Sequence, residues 1–338
     1  MKPKYYIATL FVLAAFFVCA LFFQGCTKED NTDCGIAVSF FYEKNVDFTN
    51  KFGSSVTHVE LFLFDSNGGY METHTGRASQ IPGGGVYLPD DYVMNLTRIK
   101  PGDYTLVAWG NRSNSLRHTP LTLTKAPSSV DNSVLTLDVD GFGRAPRENF
   151  SLFHGYIQKI HVEKGFQGTK KVAMELIKFT NYIEVTKIGL AVGDENRYDC
   201  YITSKNGSYF FNGNYANDNV VTYNAYPVEV SRTDTTITSH YYILRELNSK
   251  ITDSKLVLTY LKDDGTTETL ASLDLAEEMI NCQNNPPFFV NPRNPKNTGD
   301  LDRDDEYYIE IRFIYTHGTI TIWIKNWSIS LPYKPKIL

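Results

Sequence analysis

The local pattern of this chain is clearest in the segment Val56-Thr57-His58-Val59-Glu60-Leu61-Phe62-Leu63-Phe64-Asp65-Ser66-Asn67-Gly68-Gly69-Tyr70. In an extended conformation its apolar side chains alternate between two faces: Val59, Leu61 and Leu63 on one, Phe62 and Phe64 on the other. Residues 65–69 favour a tight turn, because Asp and Asn bond nearby backbone and Gly accepts a positive φ. A return strand begins after the turn. The segment therefore predicts an antiparallel β-hairpin.

Similar runs recur along the chain, separated by polar and glycine-bearing turns. They predict strands at residues 36–42, 56–64, 92–96, 104–109, 134–139, 150–156, 172–176, 182–190, 199–203, 208–211, 228–230, 239–246, 256–261, 269–273, 307–314 and 319–328. Residues 275–280 suit one or two helical turns, and residues 283–305, rich in Asn, Pro and charge, predict a loop. Strands at this spacing with almost no helical periodicity predict an all-β protein built from antiparallel β-sandwiches.

Length and composition favour two such domains in tandem. The chain has 338 residues, of which 42% are hydrophobic and 21% are charged, which supports real cores and excludes a disordered stalk. The polar stretch at residues 163–171 is the best boundary, and it predicts domains at residues 34–165 and 166–338. The formal net charge of -5, with no basic cluster in the sequence, argues against nucleic-acid binding.

The N-terminus has the parts of a secretory signal that ends at a cysteine. Lys2 and Lys4 precede an apolar run at residues 5–23, and Gln24-Gly25-Cys26 follows. A positively charged N-terminal region, an apolar core and a small residue at the cleavage site are typical of such signals. A Cys directly after the cut indicates a bacterial lipoprotein, in which that thiol is acylated. We therefore predict a signal peptide at residues 1–25, lipidation of Cys26 and an acidic tether at residues 26–33.

Two other interpretations of this segment stay open. An apolar run of about 19 residues can just cross a bilayer as an uncleaved helix. A plain signal peptide with an incidental Cys is the other interpretation. Phe23 and Gln24 depart from the usual Leu-Ala/Ser-Gly-Cys box, whereas Gly25-Cys26 lies where the apolar run stops. All three interpretations place residues 27 onward outside the cytoplasm.

Lys28, Glu29 and Asp30 resemble the Lys-(Asp/Glu)-(Asp/Glu) export signal that follows the acylated Cys in surface lipoproteins of Bacteroidota. The resemblance implies transfer to the outer face of the outer membrane. The alternative is a solvated linker, because acidic and polar spacers are common after a lipid anchor. Of the remaining cysteines, Cys34, Cys200 and Cys282 can form at most one disulfide within the chain, and their spacing matches no zinc framework.

No motif in the sequence indicates catalysis, a metal or a cofactor. The seven histidines show no HExxH spacing. His154 and His161 flank one strand, and two histidines in a β-rich protein are more often hydrogen-bonded surface or core groups than metal ligands. Residues 300–306 begin like an EF-hand loop. Asp305 replaces the glycine required at its sixth position, and Ile311 replaces the acid at its twelfth, so we predict a solvated charged loop.

Two tryptophans on one exposed strand face could bind sugar. Trp323 and Trp327 are separated by four residues in the predicted strand 319–328, so they would share a face. Ile322 and Ile324 are apolar as well, which favours a strand that is buried on both sides. Core packing is the stronger interpretation of all three tryptophans, including Trp109, because large aromatic side chains dominate sandwich cores.

Several stretches together resemble the FimB-like (Mfa-type) family of fimbrial anchor subunits in Bacteroidota. They are Cys34-Gly35-Ile36, residues 41–45, Val59-Glu60-Leu61-Phe62-Leu63-Phe64-Asp65-Ser66-Asn67-Gly68, Pro101-Gly102-Asp103-Tyr104-Thr105-Leu106-Val107-Ala108-Trp109-Gly110, Leu152-Phe153-His154-Gly155 and Ile322-Trp323-Ile324-Lys325-Asn326-Trp327. The resemblance runs through most of the chain after the signal. Its specificity lies in the order of the motifs and in the lipoprotein start.

The resemblance implies two transthyretin-like β-sandwich domains and a non-enzymatic role. Similar proteins anchor fimbriae at the cell surface through the lipidated Cys, help to limit fimbrial length and have other fimbrial subunits as partners. Relatives in the fimbrial shaft polymerise by strand exchange: an Arg-directed protease removes the first strand, and a strand of a neighbour fills the groove. We expect no cofactor, and a membrane contact through the N-terminal lipid.

The distribution of arginines favours an anchor that keeps its first strand. No Arg occurs before Arg77, so nothing between the strands predicted at residues 36–42 and 56–64 offers an Arg cleavage site. Removal of the first strand would also remove the lipid. One rival function is a surface lipoprotein that binds glycan or host protein through aromatic-lined grooves. A surface hydrolase is the other rival, although no nucleophile, metal set or acid pair stands out.

Overall fold

The structure, a computed structural model, describes residues 35–81, 83, 85–112, 121–123, 125–145, 151–166, 168–191, 193–194, 196–216, 219–226, 228–231, 236–246, 253–280, 300–316, 319–324 and 327–332. Of residues 323–324 and 327–332 it describes the backbone. The predicted lipidation site Cys26, the predicted export signal Lys28-Glu29-Asp30 and the cysteines Cys34 and Cys282 lie outside these residues.

Strands dominate the described residues. They are β1 (Gly35–Phe41), β2 (His58–Phe64), β3 (Tyr70–Arg77), β4 (Val93–Thr97), β5 (Gly102–Gly110), β6 (Leu121–Leu123), β7 (Val134–Leu137), β8 (Phe153–Val162), β9 (Thr169–Glu175), β10 (Ile177–Lys178), β11 (Thr180–Ile188), β12 (Tyr198–Ser204), β13 (Ser208–Phe210), β14 (Val221–Asn224), β15 (Val228–Ser231), β16 (Thr236–Leu244), β17 (Lys255–Leu261), β18 (Thr267–Asp274), β19 (Glu306–Thr316), β20 (Thr319–Ile324) and β21 (Trp327–Pro332). The helices are short: α1 (Phe52–Ser55), α2 (Leu275–Ile280) and a 3-10 turn (Ala78–Gln80).

The strands form five sheets. The N-terminal half contains the first-strand sheet, in the order β4-β1-β9, and a five-stranded sheet, β10-β8-β5-β2-β3. The C-terminal half contains a six-stranded sheet, β15-β16-β11-β19-β20-β21, and a four-stranded sheet, β14-β12-β17-β18. A small sheet, β13-β7-β6, joins strands from both halves of the sequence. The predicted all-β fold is confirmed.

β2 shows why the sheets pack as they do, because both of its faces are buried. Val59, Leu61 and Leu63 belong to a core between the first-strand sheet and the five-stranded sheet. Phe62 and Phe64 belong to a second core, which continues through the C-terminal half. The alternation read from the sequence therefore separates two cores, and the five-stranded sheet lies between them.

Aromatic side chains connect the two halves of the chain in the second core. Phe62 meets Phe211 edge to face at 4.8 Å between ring centroids, and Trp109 meets Phe179 at 5.4 Å. Trp109 is fully buried, so the interpretation of this tryptophan as a core residue is confirmed. Such contacts hold the five-stranded sheet against the C-terminal half.

The strand pairing crosses the domain boundary that the sequence suggested. β9, which follows residue 165, pairs with β1 over its whole length, and β10 pairs with β8. Residues 169–178 thus complete the sheets of the N-terminal half. The division of the chain at residues 165 and 166 itself stays a prediction.

Two further details differ from the sequence-based expectation. The pairs β1–β9 and β11–β19 are parallel, although antiparallel pairing was expected throughout. The strand predicted at residues 319–328 is a hairpin of β20 and β21, in which Trp323 pairs with Ser328 and Trp327 pairs with Ile324. The two tryptophans therefore occupy different strands. Within the described residues, no helix is both long and apolar enough to cross a membrane.

Candidate functional site

The first strand is the centre of a sheet and an integral part of the core. β1 pairs with β4 on one side, from Gly35↔Thr97 to Ser39↔Val93, and with β9 on the other. Its inward side chains, Ile36, Val38 and Phe40, are at most 2% exposed. Burial of side chains of this size stabilises a fold by roughly 1.5–3 kcal/mol each. Loss of β1 would therefore open a groove with an apolar floor and two unpaired sheet edges.

The start of β1 lies tightly against its neighbours. The amide of Gly35 donates to the carbonyl of Gly168 at 3.1 Å. A Cβ atom at Gly35 would come within 2.6 Å of the Leu96 carbonyl oxygen, so this close approach requires glycine. Nine peptide steps separate Gly35 from Cys26, and a fully extended chain of that length spans at most about 30 Å.

The chain that leaves β1 is held by two asparagine side chains. Nδ2 of Asn45 donates to the carbonyls of Tyr42 and Thr49, at 2.9 and 2.8 Å. Oδ1 of Asn50 accepts from the amides of Tyr42 and Phe52, each at 3.0 Å. These bonds fix the loop that connects β1 to α1.

The end of β1 meets the loop before β19 at a buried ionic cluster, which we call the junction (Tyr42, Lys178, Arg245 and Asp305). Arg245 is completely buried, and its guanidinium pairs with the carboxylate of Asp305. The Tyr42 hydroxyl donates to the same carboxylate, and the Lys178 ammonium lies 3.8 Å from it. One carboxylate thus contacts two cations and links the end of β1 to the C-terminal half.

Backbone carbonyls also accept hydrogen bonds from the Arg245 guanidinium. It donates to the carbonyl oxygens of Asp302 at 2.7 Å and of Asp304 at 3.3 Å. The same segment also reaches the N-terminal half through Arg303, whose guanidinium donates to the carbonyls of Glu43 and Asn45, each at 3.1 Å. The loop before β19 therefore contacts the chain that follows β1 in two ways.

Burial sets the electrostatics of the junction. It raises the pKa of the Tyr42 phenol to about 12, an effect that Arg245 partly opposes. It lowers the pKa of the Lys178 ammonium to about 8, and the nearby Arg245 charge acts in the same direction. Burial also lowers the pKa of Arg245. Because a buried charge without a partner is very costly, this arrangement requires the Asp305 carboxylate.

The sequence-based expectation for residues 300–306 was wrong. A solvated charged loop was predicted, but Leu301 and Asp304 are completely buried and Asp305 belongs to the junction. One signal was present in the sequence: Arg245 lies at the end of the apolar strand predicted at residues 239–246. A charge inside such a run needs a partner of opposite sign, and residues 300–306 are rich in acids.

Both histidines singled out in the sequence contact other groups of the protein. Nε2–H of buried His154 donates to the Phe211 carbonyl at 2.8 Å, and Nδ1 of His161 lies 2.6 Å from the Asp103 carboxylate. Cys200 is a free, buried thiol, and burial raises its pKa to about 12. In the part of the chain that the structure describes, no group of three or more His, Cys, Asp and Glu residues could hold a metal ion.

A family comparison bears on the role of this architecture. The model of the fimbrillin-A associated anchor proteins Mfa1 and Mfa2 matches residues 29–331. The chain belongs to this family. The resemblance found in the sequence motifs is thereby confirmed. Membership of the Mfa family supports a fimbrial accessory or anchor role in the cell envelope, with other fimbrial subunits as partners.

Solved structures agree with this family fold. The fimbrial anchor protein Mfa2 of Porphyromonas gingivalis has a TM-score of 0.65 at 19% identity, with 89% of this chain and 99% of that chain covered. A proposed adhesin of Bacteroides ovatus has a TM-score of 0.67 at 18% identity, with 90% and 97% covered. A proposed polysaccharide-binding protein of Bacteroides thetaiotaomicron has a TM-score of 0.64 at 20% identity, with 88% and 98% covered. No curated protein gives a significant match.

Proposed function

We propose that this protein anchors a fimbrium at the outer face of the outer membrane through an acylated Cys26 and keeps β1 throughout its life. The observation that carries the proposal is the position of β1, which is paired on both edges and joined at its end to the buried junction. The absence of any Arg before Arg77 supports retention of β1, because an Arg-directed protease finds no site there. An intact β1 keeps the lipid covalently attached to both sandwiches.

Retention of β1 has a consequence for assembly by strand exchange. A shaft subunit that loses its first strand can accept a strand from a neighbour. Here β1 fills the place between β4 and β9, so the protein accepts no strand at that position and contacts its first shaft neighbour through another sheet edge. A base subunit without an open groove ends the series of exchanges at the membrane. This property would limit fimbrial length.

Mass spectrometry of the mature protein tests the proposal. We expect surface-purified protein to begin at Cys26 with attached acyl chains and to contain β1. An N-terminus beyond residue 45 would contradict the proposal, because both the lipid and β1 would then be absent.

The export step has a separate test. Replacement of Lys28, Glu29 and Asp30 by Ala should leave Cys26 acylated but withdraw the protein from the cell surface. Added protease should then leave the variant protein intact on whole cells and digest it after the cells are lysed. If the variant stays as accessible as the wild type, these three residues are only a linker.

A second candidate function, glycan binding, is favoured by the outer face of the six-stranded sheet. The half-buried Tyr182 is its centre, with ring centroids 5.4 Å from Tyr242, 5.8 Å from His240 and 6.1 Å from Tyr308. The Tyr182 hydroxyl donates to the Glu184 carboxylate at 3.0 Å. Aromatic rings can stack on sugar rings while carboxylates accept from sugar hydroxyls, and one similar structure is a proposed polysaccharide-binding protein.

Calorimetry with neutral polysaccharides tests this second candidate. Tyr182→Ala should abolish any binding, whereas Tyr156→Ala, a change at an exposed tyrosine of β8 in the other half of the chain, should not. Equal binding by the two variants would exclude the aromatic face as the binding site.

A further inference from the structure

Two turns lie beside the start of β1 at one end of the N-terminal half, and we call this end the basic pole (two segments, residues 98–103 and, apart from residue 167, residues 159–171). The pairing Gly35↔Thr97 places the turn between β4 and β5 beside Gly35. The pairing Gly35↔Thr169 does the same for the turn between β8 and β9. In the five-stranded sheet, which packs against the first-strand sheet, Gly102 pairs with Val162 at the same end. The junction lies at the other end of β1.

The two segments of the basic pole carry six basic residues: Arg98, Lys100, Lys159, Lys164, Lys170 and Lys171. Their acidic residues are Asp103 and Glu163, and Asp65, in the turn between β2 and β3, lies at the same end of the sheet. The whole chain has a formal net charge of -5. The folded chain therefore concentrates positive charge at one end, although the sequence shows no basic cluster because the two segments lie far apart in it.

The geometry leaves much of this charge facing solvent. Arg98, Lys100, Lys164 and Lys171 are all exposed. The Asp103 carboxylate already lies 3.5 Å from the Lys159 ammonium and 2.6 Å from Nδ1 of His161. The Lys170 ammonium donates to the His161 carbonyl at 2.5 Å. The Asp103 carboxylate on β5 is thus shared between Lys159 and His161 on β8.

We propose that the basic pole docks on the phosphate-bearing headgroups of the membrane to which the protein is tethered. The inference rests on the proposed lipid attachment, because the tether before Gly35 reaches at most about 30 Å and so keeps the pole close to the membrane surface. Attraction between exposed charges acts over about 10 Å, and basic residues next to an anionic surface are favoured there. Docking directs β1 away from the membrane and turns the junction and the C-terminal half outward.

Vesicle binding tests the charge recognition without the lipid. The chain from residue 27, which keeps every described residue, should sediment with vesicles of phosphatidylglycerol and phosphatidylcholine but not with phosphatidylcholine alone, and high salt should release it. The triple variant Lys164→Gln, Lys170→Gln, Lys171→Gln should lose at least about tenfold in binding. The matched triple variant Lys205→Gln, Lys255→Gln, Lys262→Gln in the C-terminal half should not. Equal losses in both variants would overturn the proposal, as would equal binding to both kinds of vesicle.

Lysine labelling of the lipidated protein tests docking in place. A membrane-impermeant amine reagent should modify Lys164 and Lys171 less in anionic vesicles than in detergent, while Lys262 is modified equally in both. Unchanged labelling of Lys164 and Lys171 would overturn docking. If mass spectrometry finds Cys26 without lipid while the unlipidated chain still prefers anionic vesicles, the anchoring proposal fails and the recognition of headgroups stands.

Discussion

Arg245 is the residue on which the junction most depends. It is completely buried, and its guanidinium connects the Asp305 carboxylate with the carbonyls of Asp302 and Asp304. Removal of one partner of a buried ion pair usually costs about 3–5 kcal/mol. Without Arg245, the Asp305 carboxylate would keep only the more distant Lys178 ammonium as a cation, and the Asp302 and Asp304 carbonyls would lose their donor. The junction is therefore a stability element at the contact between the two halves.

Arg245→Met should lower the free energy of unfolding by about 3–5 kcal/mol in urea titrations, because Asp305 keeps its charge without its closest cation. Arg144→Met is the matched control, since Arg144 pairs with Asp140 at 2.9 Å on the surface. That exposed pair should contribute no more than about 1 kcal/mol. Equal effects of the two changes would contradict the assigned role of the junction.

His154 predicts a dependence of stability on pH. Burial lowers its pKa from 6.5 to about 4, and its bond to the Phe211 carbonyl only partly opposes this shift. The unfolded chain therefore binds one more proton than the folded chain between these values. The free energy of unfolding should fall by roughly 3 kcal/mol from this group as the pH drops from about 6.5 to about 4.

Urea titrations across this pH range check the prediction. His154→Gln keeps an N–H donor for the Phe211 carbonyl but cannot take up the proton, so its loss of stability in acid should be smaller. His58, whose pKa burial also lowers to about 4, should contribute in the same direction. His154→Gln combined with His58→Gln should show the flattest profile. An unchanged slope in His154→Gln would refute the contribution of His154.

At the scale of elements, β1 should stay in place even when its chain connection is cut. Lys51→Arg introduces an Arg-specific cleavage site between β1 and the rest of the fold at a position whose side chain is 42% exposed. Because β1 is paired on both edges and its inward side chains are buried, the nicked protein should elute as one particle in native buffer and separate only in denaturant. The wild-type chain, treated in parallel, reveals cleavage at other arginines. Separation in native buffer would mean that β1 is held weakly.

Local pattern was enough to predict most strands, because alternation and turn residues are properties of neighbouring positions. The predicted strand at residues 182–190 and the helix at residues 275–280 correspond closely to β11 and α2. Pairing between distant strands was not encoded locally, so the parallel partner β9 of β1 was missed. β20 and β21 were predicted as one strand, because only Lys325 and Asn326 interrupt the apolar run in the sequence.

The candidate functional residues also differ in whether a local sequence motif predicts them. The lipidation and export residues were predicted from motifs that are local in sequence. The junction was not, because it needs Tyr42 and Asp305, which lie 263 positions apart. Only the fold shows that Asp305 pairs with an arginine that directly follows β16.

At the scale of the whole molecule, the proposed attachment and the fold define a direction. The tether begins at one end of β1, the junction lies at the other, and the C-terminal half follows beyond it. Force on a fimbrium would pass through the aromatic contacts of the second core and the junction into β1, and from there into the lipid. An anchor of this kind needs β1 to remain part of the covalent chain.

Electron microscopy of cells that lack this protein, complemented with either the wild-type chain or Cys26→Ala, tests the anchoring role most directly. Wild-type complementation should return fimbriae to the cell surface. In the deletion and in Cys26→Ala, with the variant chain present by immunoblot, fimbriae should be long and lie free in the medium. Fimbriae of normal number and length that stay attached to Cys26→Ala cells would contradict the account.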